Sequence, residues 1–233
     1  MKGTHKAELI KNGFIMLILL LAFFPLYVML NISFKSNTQF MQNPFHFVFP
    51  LHLENWVVAW GLVRDYIFNT VFVAVTAVAL TFCFTIPGAF FFARYKAPGS
   101  TILWYCFLIL LLMPTVANLI PLFMVIKSLG LLNSLFALVI MGITASQVLQ
   151  IYVLRNFIEE IPQDLFDAAE IDGAGPLKQI FNIVVPMSGS IVSTLAILQF
   201  VAVWNDFILP MVLIRDDELL TLAAGLVKLD GEY

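Results

Sequence analysis

Five stretches of this chain contain no charged residue: 12–34, 66–93, 97–126, 128–154 and 179–205. Each exceeds the ~20 residues that a helix needs to cross ~30 Å of hydrocarbon. Of the 233 residues, 61% are hydrophobic and only 12% charged, and the mean hydropathy is +0.95, a balance that excludes an ordinary soluble fold. A lipid-exposed backbone must satisfy its own hydrogen bonds, and the ten-residue alternating segments of a barrel are missing, so helices are expected. The chain reads as all-α, a polytopic membrane helix bundle with five spans. A net charge of −3 excludes a strongly basic nucleic-acid binder.

Residues 1–65 are expected to hold an N-terminal span and an external segment, and residues 66–233 the core. Lys2, Lys6 and Lys11 precede a first span at about 13–30, which places the N-terminus in the cytoplasm. The external segment, 35–65, includes a short interfacial helix at 54–62 with Trp56 and Trp60 as headgroup anchors. His46 and His52, without a cysteine or third histidine nearby, do not make a metal site. The second span, 66–93, ends at the basic loop Arg94-Tyr95-Lys96. The third, 101–126, contains Pro114 and Pro121 around Asn118, and either a substrate path beside Asn118 or a bend that serves packing fits those prolines. A turn at 130–133 leads to the fourth span, 134–156, whose Gln147 and Gln150 are expected to bond neighbouring helices. The fifth is expected at 188–214. Cys83 and Cys106 are expected to be buried as small apolar residues. With this topology seven bases, Lys2, Lys6, Lys11, Arg94, Lys96, Arg155 and Lys178, lie inside against five outside.

Between the fourth and fifth spans lies the longest polar interlude, 158–187. Glu159, Glu160, Asp164, Asp167, Glu170 and Asp172 fall within fourteen residues that contain no base. Such an acidic face on the cytoplasmic side suits a basic protein partner. Pro162 suits a first helical turn, Asp164 and Asp167 suit the positive end of a helix dipole, and Gly173 suits a left-handed terminator. The first helix is expected from about 162 to 172, with Leu165 and Ala169 on one face and Ala168 and Asp172 beside it. Gly175-Pro176 can open a second short helix whose Leu177, Ile180 and Phe181 would pack back against the membrane body.

In the fifth span, Gln199 and Asp206 are seven residues apart on one expected helix face, and Trp204, Asn205 and Asp206 form a polar and aromatic group. An intramembrane carboxylate is costly unless it meets water, a partner or a ligand. Amides and carboxylates exchange hydrogen bonds with sugar hydroxyls and an aromatic ring covers a pyranose face, while a helix-to-helix hydrogen bond is the alternative use of the same groups.

Asp167-Ala168-Ala169-Glu170-Ile171-Asp172-Gly173-Ala174, with Ile183 and Pro186 beyond it, resembles the cytoplasmic EAA loop of ATP-binding-cassette importer permeases. Asp167 stands where that family usually has Glu, and Ser190 where a second proline is common. Residues 200–210, with Ile120-Pro121-Leu122-Phe123 and Ser128-Leu129-Gly130-Leu131, are similar to the maltose-type permeases among the carbohydrate importers, the likeness running from about Leu53 onward. The resemblance implies a type I importer permease of about six spans in a prokaryotic cytoplasmic membrane. It also implies a second homologous permease, two copies of an ATPase that binds ATP and magnesium, and an external sugar-binding protein. Asp164, Leu165, Asp167, Ala168, Ala169, Asp172, Gly173, Ala174 and Pro186 would form the ATPase-coupling loop, and Asn118, Gln199, Trp204, Asn205 and Asp206 the substrate path. No apolar run follows Arg215 to supply a sixth span, and a fragment lacking its last helix is the expected reason.

No Gly-Lys dipeptide occurs, so a phosphate-binding loop of the Walker type is absent. The three histidines stand far in sequence from any nucleophile within the spans, which argues against an enzyme and against a cofactor of the chain's own. A sugar-translocating importer subunit is the leading reading. A cation-coupled carrier, a non-transporting scaffold and an importer subunit for a non-sugar solute stand as alternatives.

Overall fold

The computed structural model describes residues 2–95, 97–113 and 118–232. They form twelve α-helices and no strand among the described residues. The helices are α1 (Lys2–Ser33), α2 (Asn37–Gln42), α3 (Glu54–Arg94), α4 (Ser100–Ile109), α5 (Leu119–Ser128), α6 (Leu135–Glu160), α7 (Gln163–Ile171), α8 (Pro176–Gln179), α9 (Val185–Met187), α10 (Gly189–Trp204), α11 (Ile208–Leu213) and α12 (Leu222–Glu232). The chain divides into two compact units, residues 1–62 and 63–233, with the boundary inside α3.

In the first unit, the apolar side chains of α1 from Phe14 to Leu30 stand exposed, the surface that a bilayer would cover. Below α1 the chain turns through α2, where Ser36 and Gln39 form a reciprocal capping box. Its backbone carbonyls are gathered by buried polar side chains. Asn31 Nδ2 donates to the Phe45 carbonyl at 3.0 Å, and Lys35 Nζ donates to those of Asn43 and Pro44 at 2.7 and 3.1 Å.

In the second unit, small residues let α3, α6 and α10 approach closely. A Cβ on Gly142 of α6 would lie 3.0 Å from the Cβ of Ala77 on α3 and 3.3 Å from Val203 of α10. One apolar cluster, including Phe82, Phe90, Trp104, Leu154, Ile158 and Phe166, fills the end nearest the acidic loop. A second, including Val73, Leu138, Met141, Leu213 and Ala224, fills the other. A polar node lies in the same three-helix core. Gln150 Nε2 donates to Gln199 Oε1 at 2.8 Å, and Gln199 Nε2 donates to Thr81 Oγ1 at 2.7 Å and to the Gly142 carbonyl at 3.0 Å. Three helices are thereby tied through one side chain that is 2% exposed. Intramembrane hydrogen bonds contribute roughly 0.6 kcal/mol on average, so Gln199→Leu is expected to cost about 1–2 kcal/mol. Thermal unfolding of the detergent-purified chain checks it as a lowered midpoint.

The five expected spans map unevenly onto the helices. Among the described residues, three helices are long and apolar enough to cross a membrane: Lys11–Ser33, α3 and α6. A fourth is gained if Pro176–Met187 and Gly189–Trp204, bent by 79°, count as one span. The interfacial helix and second span merge into the single 41-residue α3. The third expected span yields two short apolar helices, Ser100–Leu112 and Leu119–Ser128, and Pro114 and Lys96 lie outside the described residues. The fifth expected span ends at Trp204 and resumes as α11 with Pro210 at its third position, where a missing amide costs no helical bond. Cys83 and Cys106 are exposed on their helices rather than buried. Beyond Arg215, expected as an external segment, α12 packs on α3. Its Leu222 amide donates to Thr70 Oγ1 at 2.7 Å, and a Cβ on Gly225 would lie 2.3 Å from the Tyr66 ring.

Candidate coupling site at the acidic loop

Proline and glycine set the geometry of the loop. α6 ends at Glu160 because Pro162 drives Ile161 to extended backbone, with ψ at 130°. Pro162 then stands as the residue before α7, whose first turn carries Asp164 at the positive end of the helix dipole. At the far end, Gly173 takes φ +72°. Its amide donates to the Glu170 carbonyl at 3.0 Å and the Ala174 amide donates to the Ala169 carbonyl at 2.8 Å. That pair of bonds is a Schellman cap, which needs a residue at ease in left-handed backbone. Pro176 opens α8, and Gln179 Nε2 returns to the Ala174 carbonyl at 3.1 Å, closing the turn between the two short helices. A π-turn at Ile180–Val184 precedes Pro186, which lies in the last turn before the 79° bend.

α7 is held from beneath. Phe166 is 4% exposed and lies 6.0 Å from the Phe90 ring, while the Arg94 guanidinium sits 4.2 Å over its face. Arg94 Nη2 donates to the Ile158 and Ile161 carbonyls at 2.6 and 2.5 Å, and Nη1 donates to Gln163 Oε1 at 2.7 Å. Gln163 Nε2 in turn donates to Asp167 Oδ1 at 2.8 Å. Beside these contacts lies a cleft of about 410 Å³ lined by Tyr95, Gln163, Phe166, Glu170 and Gln179. A second arginine, Arg155, donates Nε to the Phe92 carbonyl at 3.3 Å, pairs with Glu159 and lies 4.4 Å over Trp104.

The outer surface of the knuckle is bare. Asp164, Leu165, Asp167, Ala168, Asp172 and Gly173 are exposed, and Ala169 and Ala174 are half-buried. Ile171 is 87% exposed, Leu177 68% and Phe181 67%. This corrects the packing expected after the hinge, because Ile180 alone of Leu177, Ile180 and Phe181 turns inward. Leu165, expected on one face with Ala169, is exposed, and the anchor of α7 is Phe166. The sole aromatic in an acidic helix was the signal for that anchor. Arg94 and Gln163 gave no signal, since their acceptors are set by tertiary structure.

The substrate-path candidates are dispersed. Asn118 precedes α5, and Gln199 is enclosed by the three-helix node. Trp204 closes α10, stacked on Phe200 with centroids 5.5 Å apart. Asn205 Nδ2 donates to the Val201 carbonyl at 2.8 Å, and Asp206 Oδ1 accepts from the Ile208 and Leu209 amides at 3.0 and 3.3 Å. Gln199 and Asp206 therefore do not share a helix face, because the helix stops between them.

Long apolar helices with a capped acidic knuckle between two of them define a helical protein of the membrane-spanning kind. Residues 85–226 match the family described as "Binding-protein-dependent transport system inner membrane component", and the chain belongs to that family, the permeases of ABC importers. It is similar to the diacetylchitobiose uptake system permease protein NgcG of Streptomyces coelicolor, 30% identical over 204 residues, covering 87% of this chain and 68% of that protein. It is likewise 30% identical over 219 residues to the arabinooligosaccharides transport system permease protein AraQ of Halalkalibacterium halodurans, covering 91% of this chain and 78% of that one. The melibiose/raffinose/stachyose import permease protein MelC of Bacillus subtilis is 26% identical over 216 residues, covering 90% and 77%. Among solved structures, a bacterial ABC transporter involved in the import of the acidic polysaccharide alginate shares the fold, with a TM-score of 0.83, 22% identity, and coverage of 98% of this chain and 81% of that one.

Proposed function

We propose that this permease moves a sugar or small oligosaccharide into the cell, and that residues 158–187 receive the motion of a separate ATPase. The observation that carries the coupling role is the knuckle itself. It is capped, buttressed and stiff on its inner side, yet presents Ile171, Leu177 and Phe181 with Asp164, Asp167 and Asp172 to whatever lies outside. Exposed large apolar side chains among charged ones are the usual make-up of a protein contact. In this reading the chain pairs with a second homologous permease in membrane lipid. Two ATPase copies bind ATP and magnesium, an external binding protein delivers the sugar, nucleic acid plays no part, and the N-terminus is cytoplasmic. Closure of the ATPases draws the knuckles together and tips the spans between inward-facing and outward-facing states.

The sugar reading draws its support from the oligosaccharides for which the relatives are named. Asn118, Trp204, Asn205 and Asp206 remain the proposed contacts along the path, with Gln199 holding its walls in register. Proteoliposomes containing the assembled complex and radiolabelled diacetylchitobiose, arabinooligosaccharide or melibiose test this. ATP-dependent accumulation of at least one, surviving collapse of the ion gradients, is the expected result. Accumulation that follows an ion gradient and ignores ATP would assign the chain to the secondary carriers instead.

A further inference from the structure

We propose that Arg94 is the positioning residue that makes α3 move as one body with the knuckle, an inference that rests on the coupling role of residues 158–187. Arg94 is the last residue of α3, yet its acceptors belong to two other pieces of chain. They are the carbonyls of Ile158 and Ile161 where α6 ends, and the side chain of Gln163 in the first turn of α7. Carbonyls at a helix C-terminus carry the negative end of the dipole and lack amide partners within the helix, so a cation there is well placed. The planar guanidinium serves both sites at once, Nη2 on the carbonyls and Nη1 on the amide, which a lysine ammonium at the end of a flexible stem cannot reproduce. Gln163 extends the tie to Asp167 one turn further along α7.

The other contacts at this end do not do the same work. Arg155 ties α6 to Phe92 of α3 without reaching α7. Phe90 touches Phe166 through ring contact alone, and such a contact resists separation but permits sliding. The directional bonds of Arg94 fix the register of α3, α6 and α7 together. The remaining contacts of α3 with the knuckle are apolar, Phe90 against Phe166 among them, so loss of the guanidinium would let α7 shift while α3 lagged.

Spin labels at Cys83 on α3 and at position 170 of α7 (Glu170→Cys), in a Cys106→Ser background, test this in the complex assembled with its ATPase in lipid nanodiscs. With Arg94 present, the distance distribution is expected to be narrow and unchanged by Mg-ATP. With Arg94→Gln it is expected to broaden and to shift on Mg-ATP, and Arg94→Lys to fall between, while a loss of packing alone would broaden it without any response to nucleotide. Should Arg94→Gln fail to assemble, Arg94→Lys and Gln163→Ala decide by the same readout. A distribution that shifts with Mg-ATP despite Arg94, one that stays narrow and nucleotide-insensitive in the variants, or one that broadens there with no response to nucleotide overturns the proposal. Failure of the coupling role itself shows separately, as a chain with intact Arg94 that copurifies with no ATPase.

Discussion

Replacing Gly173 by valine is expected to cut uptake at least tenfold while the assembled complex continues to hydrolyse ATP. Nothing lies within 4 Å of a Cβ built at this position, so the effect is one of backbone rather than of collision. At φ +72° a side chain costs ~1–2 kcal/mol, and a β-branched one is a genuine outlier. Because ~1.4 kcal/mol changes an equilibrium tenfold, this cost alone shifts the balance between capped and uncapped knuckle about tenfold toward the uncapped form. The amides of Gly173 and Ala174 would then release the Glu170 and Ala169 carbonyls, and α7 would no longer hold a fixed angle to α8. The series Gly173→Asn, Gly173→Ala, Gly173→Val is expected to fall in that order, asparagine being most at ease in left-handed backbone. Uptake and ATP hydrolysis, measured at matched levels of chain in the membrane, check this. Wild-type uptake by the valine variant would contradict it.

Phe166→Ala is expected to have the other large effect, loss of the ATPase from the purified complex. Truncating a buried phenylalanine costs ~3–5 kcal/mol in a well-packed core. α7 has nine residues, too few to persist as a helix without tertiary support. Its main buried contact is Phe166 against Phe90 and Arg94. The spanning helices bury other residues, so the chain remains in the membrane while the loop loosens. Limited proteolysis within 162–176 should accelerate, and affinity purification should recover the permease with little ATPase. Undiminished recovery together with unchanged proteolysis would show that Phe166 is not what holds α7.

The punctuation of the knuckle was legible in the sequence because Pro162, Gly173 and Pro176 act through local backbone chemistry alone. The side that α7 buries was not legible. In nine residues Leu165 and Phe166 both fit a helical stripe, and the choice depends on Phe90 and Ile158, which arrive from other helices. Leu177 and Phe181 misled for a related reason. Exposed apolar side chains look in sequence like core. At the other end, a run of uncharged residues marks what lipid tolerates but not where a helix stops. Asn205, Asp206 and Pro210 were the available signs that α10 ends and α11 begins. The acceptors of Gln199 and Arg94 lie 57 and 118, and 64 to 69, positions away in the chain, and so were beyond reach of any local pattern.

The most direct test of the account is to introduce cysteines one at a time at Ala168 and Asp172 and treat inverted membrane vesicles, assembled with the ATPase, with a short bifunctional thiol reagent. The account predicts an adduct joining residues 167–173 to the ATPase subunit, its yield changing when Mg-ATP is added. Labelling of the same positions from the outer face of intact cells by a membrane-impermeant maleimide, with no ATPase adduct in the vesicles, would contradict it.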